Sequence, residues 1–414
     1  MFTSWWLIAE NSQRSIGGGD VPASNLNGSG NDESGKLDPL PSGFWKRPTG
    51  IATQNLAAGF GRAEIPRFDA VIWNYAEPKT SSGTRAGLEI KAEGREYKIK
   101  FAEVNSEPFT ARMFDALGFH ADPTDFVPEL RIRYSRRFFR EFNLRKPIMM
   151  RIRPFWIPLA AVNLQPHHNP FQFVKLAVFK DGRKIPGAEL KRLLLVDPSG
   201  GKPEEPAENY RRETEAELDY LVVGPVNIQP EDESTESIGC WDFSGLGHEN
   251  LRELRGAGLL AGWLGWFDSR FDNTRLRVTT HAGSDELQFF FTDLGSGMGG
   301  GKGWLIRHGE NPDAFEDSFT DPEIVRGPGR MTTPFRIRNF ETIVPTPAFQ
   351  RMTIGDARWM GRLIAQLTET QIRDALLASG YDSATAAKYL EKLLHRRAKM
   401  LRDLGLANEL HARP

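Results

Sequence analysis

The string Gly265-Trp266-Phe267-Asp268-Ser269-Arg270-Phe271-Asp272-Asn273 places an aspartate five residues ahead of an asparagine. It follows an apolar stretch, and after two strand-like runs comes Thr292-Asp293-Leu294-Gly295. Phosphoryl transfer asks little covalent help of a protein. It needs a carboxylate to orient the attacking hydroxyl and oxygen ligands to hold Mg2+ on the phosphates. Asp268 suits the first task, and Asn273 and Asp293 suit the second. A hairpin between the two motifs would return the far aspartate to the near asparagine, so both could reach one ion. Taken singly, each motif also reads as ordinary turn chemistry.

The elements that must position these residues are readable in outline. Residues 249–266 place Leu251, Leu254, Ala257 (or Gly258) and Ala261 (or Gly262) at helical spacing, which predicts a helix ahead of Asp268. Leu276–Val278 and Leu287–Phe291 predict the hairpin strands, with a turn at His281–Asp285. Upstream, Gly87–Ile90 and Tyr97–Phe101 read as strands around a turn at Glu93–Gly94. Tyr97, Ile99 and Phe101 share one face of the second strand, and Lys98 and Lys100 share the other. A helix follows from Glu107 to Leu117, with Ser106 as N-cap, Pro108 in its first turn and Gly118 as its stop. Tyr220–Val223 is one more short strand. Near the end, Thr368 and Gln371 form a capping-box pattern opening a helix that Gly380 closes. A last helix from Ser383 to Leu404 carries Arg396, Arg397, Lys399 and Arg402, expected on an exposed face.

Asp-x-x-x-x-Asn, two strands and Asp-x-Gly together resemble the catalytic and metal-binding loops of the protein-kinase-like superfamily. The similarity is to its divergent branches: HipA-like kinases, secretory-pathway glycan and protein kinases, and uncharacterised bacterial proteins. In the last group, Trp-Asp-x-x-x-x-Asn often follows a helix that opens Arg-Glu-Leu. Here Arg252-Glu253-Leu254 precedes Trp266-Phe267-Asp268. Tyr97-Lys98-Ile99-Lys100-Phe101 resembles the strand carrying the ATP-phosphate lysine, which points to Lys100 first and Lys98 second. The next helix resembles the one whose glutamate pairs with that lysine, with Glu107 as the candidate and Glu103 as the alternative. The resemblance implies an α+β, two-lobed fold with a smaller β-rich lobe and a larger helical lobe. It also implies ATP and Mg2+, or Mn2+, as cofactors.

Departures from the family pattern are equally plain. No G-x-G-x-x-G precedes Lys100. The nearest substitute, residues 81–87, offers Ser82 and Gly83 as phosphate contacts and reads equally as a plain turn. Trp266-Phe267 replaces the His-Arg pair that usually precedes the catalytic aspartate. Asp272 adds a carboxylate beside Asn273. The glycine-rich run at residues 295–303 is no P-loop, because Ser296 replaces the first glycine and Gly303 follows Lys302. It reads as a flexible start of an activation-segment analogue. Asp356-Ala357-Arg358-Trp359-Met360-Gly361 has faint similarity to a kinase large-lobe helix at different spacing, and reads as core.

Composition bounds the remaining readings. The 414 residues include 53 Lys and Arg against 54 Asp and Glu, so no global charge draws the chain to nucleic acid or an anionic membrane. The one cysteine, Cys240, excludes an intrachain disulfide and reads as a loop or core residue. No run of about 18 apolar residues predicts a membrane span. Residues 1–44 read as a disordered leader, 45–223 as the β-rich lobe with a polar insertion near 198–218, and 224–414 as the helical lobe. Location as read is cytoplasmic, with export if the true start lies upstream of Met1–Ala9. Residues 131–153 hold nine Lys or Arg among aromatics. That favours solvated basic strand faces over a nucleic-acid surface. His167-His168 lacks a metal-ligand companion at useful spacing. The expectation is a kinase-like phosphotransferase using Mg-ATP on an unknown protein, glycan or small-molecule acceptor. The alternatives are a catalytically inactive kinase-like binding module and, behind it, a nucleic-acid-binding protein.

Overall fold

A computed structural model describes residues 38–58, 68, 71–78, 86–135, 149–152, 155–158, 170–194, 214–231, 236–281, 284–302, 305–307, 311–316, 323–325, 334–338 and 340–410. The chain is α+β, with a large mixed sheet and several helices. It divides into two units, one of residues 1–60, 105–123 and 232–414, the other of residues 61–104 and 124–231.

The second unit is built on strands. In chain order these are β1 (Ile72–Pro78), β2 (Gly87–Ala92), β3 (Arg95–Lys100), β4 (Asp125–Val127) and β5 (Leu130–Arg133). Then come β6 (Met149–Ile152), β7 (Phe155–Pro158), β8 (Val174–Phe179), β9 (Lys184–Pro186), β10 (Leu218–Val223) and β11 (Val226–Pro230). Helix α1 (Ser106–Ala116) interrupts them in sequence but belongs to the first unit, whereas α2 (Gly187–Leu194) belongs here. Nine strands pair in the order β4-β11-β3-β2-β1-β5-β10-β8-β9, while β6 and β7 pair separately. The β1–β5 pair is parallel and its neighbours are antiparallel. Alternation sets the faces: Tyr97 and Ile99 of β3 are buried with Leu88 and Ile90 of β2, and Lys98 and Lys100 point the other way, half-buried.

The first unit is mostly helical. After α1 it contains α3 (Arg252–Leu264), α4 (Pro312–Glu316), α5 (Pro347–Gln350), α6 (Ile354–Ala365), α7 (Glu369–Ala378) and α8 (Ser383–Asp403). A three-stranded sheet of β12 (Glu236–Gly239), β13 (Thr274–His281) and β14 (Ser284–Phe291) joins them. Two small hairpins complete it, β15 (Gly300–Lys302) with β16 (Leu305–Arg307), and β17 (Glu323–Val325) with β18 (Arg336–Arg338).

Helix α3 is the centre of this unit, with all 13 residues buried. A buried helix needs small residues where neighbours cross closely. A Cβ on Gly256 would lie 2.5 Å from Cζ3 of Trp359 on α6, so only glycine admits the indole there. Beside that contact, Asp356 of α6 is fully buried. It receives Nε of Arg252 at 2.8 Å and Nε of Arg255 at 2.6 Å. The same carboxylate accepts from the Thr353 backbone N–H at 2.9 Å and caps its own helix. Gly265, with left-handed backbone, ends α3. Arg396 of α8 donates Nε to the Trp263 carbonyl at 3.0 Å, satisfying an acceptor of that last turn.

Several expectations shift. Ser106 is the first helical residue and Asn105 the N-cap, because the Ser106 hydroxyl is engaged elsewhere. Arg396 and Arg397 are buried rather than exposed; both guanidiniums donate to backbone carbonyls inside the unit. The leader shortens, since Phe44 and Trp45 are core and Asp38 pairs with Arg362 at 2.8 Å. Residues 45–58 and 105–123 fold with the helical unit, and β11 extends the sheet to Pro230, so the division departs from 45–223 and 224–414. The capping box of Thr368 and Gln371 forms as read. The edge of β14 is covered: Phe289 N–H donates to Gly43 at 2.9 Å, and Phe291 N–H to His120 at 2.8 Å.

Removing the Asp356 carboxylate would strand two buried guanidiniums. Asp356→Ala is expected to cost about 3–5 kcal/mol in denaturant-induced unfolding, far more than loss of one cap. Burial pushes His120 down to about 4 from 6.5, with the Lys46 charge adding. The unfolded chain therefore takes up that proton first as pH falls. The contribution is complete above about 6.5 and is lost as pH falls toward 4. Stability measured at pH 7 and pH 5 should fall more in the native protein than in His120→Gln.

Candidate functional site

The β13–β14 hairpin does what the spacing predicts. Thr274 pairs with Phe291 at its open end, and the Thr292 N–H donates to the Asn273 carbonyl at 3.0 Å. Asn273 and Asp293 are therefore neighbours at the mouth of the hairpin. Asp293 has left-handed backbone, φ 53°, which turns it out of the strand into a short 3-10 turn over Leu294–Ser296. Asn273 is buried, and its amide nitrogen donates to the Asp268 carbonyl at 2.8 Å. That bond closes the loop from the aspartate to the asparagine.

Asp268 is partly exposed. Burial pushes its carboxyl up, and the charge of Asp293 adds to this. The Arg270 guanidinium and a hydrogen bond from Asn273 oppose it. Arg270 Nε lies 2.8 Å from Asp268 and 3.4 Å from Asp272. The loop is held from two sides. The Asp268 N–H donates to Ser296 Oγ at 3.2 Å, and Ser269 Oγ meets Thr346 Oγ1 at 2.5 Å.

Helix α1 supplies a further carboxylate. Ser106 Oγ donates to the Gly295 carbonyl at 2.6 Å, which seats the start of α1 on the Asp293 turn. A Cβ on Gly297 would lie 2.1 Å from Thr110 Oγ1, so this glycine makes the approach possible. The start of the glycine-rich run is thus a packed turn and not a flexible segment. The result places carboxylate oxygens of Glu107 and Asp293 within 4.8 Å of one another. Carboxylates this close offer the hard oxygen donors by which proteins hold a divalent cation.

Asp268, Asn273 and Asp293, with Glu107, are thus brought together within one unit. Lys100 and Lys98 lie on β3 of the other unit, where Lys98 pairs with Glu231 and Lys100 faces Asn227 in the ladder. Glu103 belongs to that unit too. Ser82 and Gly83 lie outside the described residues, as do His167-His168 and most of the basic run. Of that run, Arg131 and Arg133 are exposed on β5. Cys240 is exposed, with Arg275 Nη1 at 3.1 Å from its sulfur. Sequence reasoning missed Arg270, Ser296 and Thr346 as partners of the Asp268 loop. Arg270 alone had a local signal, a cation two residues from the aspartate.

The chain matches no known family, no curated protein and no solved structure. Among the described residues, no helix is long and apolar enough to cross a membrane.

The Glu107–Asp293 pair yields a test. Added Mn2+ or Mg2+ should stabilise the native protein and leave Asp293→Asn and Glu107→Gln little changed, as read by thermal melting.

Proposed function

We propose that this protein is a kinase-like phosphotransferase that uses Mg-ATP. One observation carries the reading: Asp268, Asn273 and Asp293 converge at the mouth of the β13–β14 hairpin, in the order and spacing the chemistry asks for. Asp268 would accept the acceptor's proton while its hydroxyl oxygen bonds to the γ-phosphorus. The bond from that phosphorus to the β–γ bridging oxygen breaks, and ADP leaves. A carboxyl raised above its ordinary value by burial is a better base for this step. Asn273, Asp293 and Glu107 would hold a divalent cation, which when bound neutralises phosphate charge. Arg270 would offer a second positive charge beside the base. Lys100 takes the phosphate-binding role that the resemblance implies, with Lys98 engaged by Glu231.

An inactive nucleotide-binding module is the reading to separate from this one. Asp268→Asn should lower phosphate transfer or ATP hydrolysis by about 10²–10⁴-fold while preserving Mg-ATP stabilisation in thermal melting. Lys100→Ala should instead weaken that stabilisation. Native protein stabilised by Mg-ATP but silent in transfer and hydrolysis would mark the inactive module.

A further inference from the structure

The segment at residues 341–346 lies directly against the Asp268 loop. The Ile343 N–H donates to the Phe267 carbonyl at 2.9 Å, and Thr346 Oγ1 meets Ser269 Oγ. These two contacts bracket Asp268. Thr346 is buried and anchors the segment, while Thr342 Oγ1 donates to the Val344 carbonyl at 2.5 Å and holds a tight bend. That bend leaves Ile343 42% and Val344 38% exposed. Three residues on from the aspartate in the same loop, Phe271 is 60% exposed. Of the six large apolar side chains exposed among the described residues, three therefore lie on the Asp268 loop or on the segment held against it. Isolated exposed apolar residues need no explanation, but their concentration beside a base does.

Resting on the phosphotransferase reading above, we infer that Phe271, Ile343 and Val344 form an acceptor-docking lip. The acceptor it fits is a polypeptide carrying a bulky apolar residue close to its hydroxyl residue. The chemistry of the lip selects this class. Ile343 and Val344 offer no hydrogen bond, so a sugar laid on them would lose its bonds to water without replacement. A small polar acceptor would gain nothing from them. An extended peptide presents its side chains at about 3.3 Å per residue, which sets an apolar group within reach of the lip while a hydroxyl sits at Asp268.

The test uses the full chain and two fluorescent serine-centred peptides, one flanked by Leu and Phe and one by Asn and Gly. Anisotropy should show the apolar peptide bound about tenfold more tightly, a gap that one well-buried side chain can supply. The gap should collapse in Ile343→Ser, Val344→Ser and Phe271→Ser, with circular dichroism as the check on folding. Phosphate transfer from ATP should follow the same preference. Equal binding of the two peptides, or a gap untouched in all three variants, overturns the inference. Mg-ATP stabilisation without peptide discrimination overturns it alone and leaves the phosphotransferase reading standing. Discrimination without any response to Mg-ATP supports the docking lip and overturns the phosphotransferase reading instead.

Discussion

The helical unit depends on one buried carboxylate. Asp356 lies at no exposure against two guanidiniums of α3. Desolvating three charged groups is costly, and the attraction offsets that cost only when geometry is good and each remaining site is bonded. Here it is good. One carboxylate takes both arginines and the backbone N–H of Thr353, so a single group fixes α6 to α3 and starts α6. Gly256 lets Trp359 close the same crossing. With α3 fixed, its last residue fixes the origin of the Asp268 loop, since Gly265 turns the chain at once into Trp266 and Phe267.

From that origin the site is assembled by backbone contacts and short hydroxyl bonds. Ser296 holds the Asp268 amide, Thr346 holds Ser269, and Ser106 holds Gly295. Small hydroxyl side chains suit this work because they reach only one bond length and carry little rotamer entropy. They set positions without adding charge. The charges are then left to Asp268, Arg270, Asp272, Asp293 and Glu107.

This division explains what was legible in the sequence. The hairpin joining Asn273 to Asp293 is local, so alternation and a turn were enough to read it. The face of β3 bearing Lys98 and Lys100 followed from a period of two. The position of Glu107 beside Asp293 was not legible, because it depends on where α1 packs, nearly two hundred residues away in sequence from the turn it meets. Ser106 misled for the same reason. Its type fits an N-cap, yet a tertiary carbonyl claims the hydroxyl. Arg396 and Arg397 misled because helical periodicity reports a polar face without reporting what packs on it. Their partners are carbonyls at the end of α3 and in the turn after α6, and nothing in the local sequence announces those.

The electrostatics of the loop are set by opposing neighbours. Asp268 is raised by burial and by Asp293, while Arg270 pulls it down. Desolvation and the Asp293 charge favour the protonated carboxyl, and the guanidinium favours the charged one. Arg270 is partly exposed and on a long, flexible stem. From one position its Nε reaches both carboxylates, 2.8 Å from Asp268 and 3.4 Å from Asp272. The loop that carries Asp268 thus also carries the cation that opposes the rise of its carboxyl.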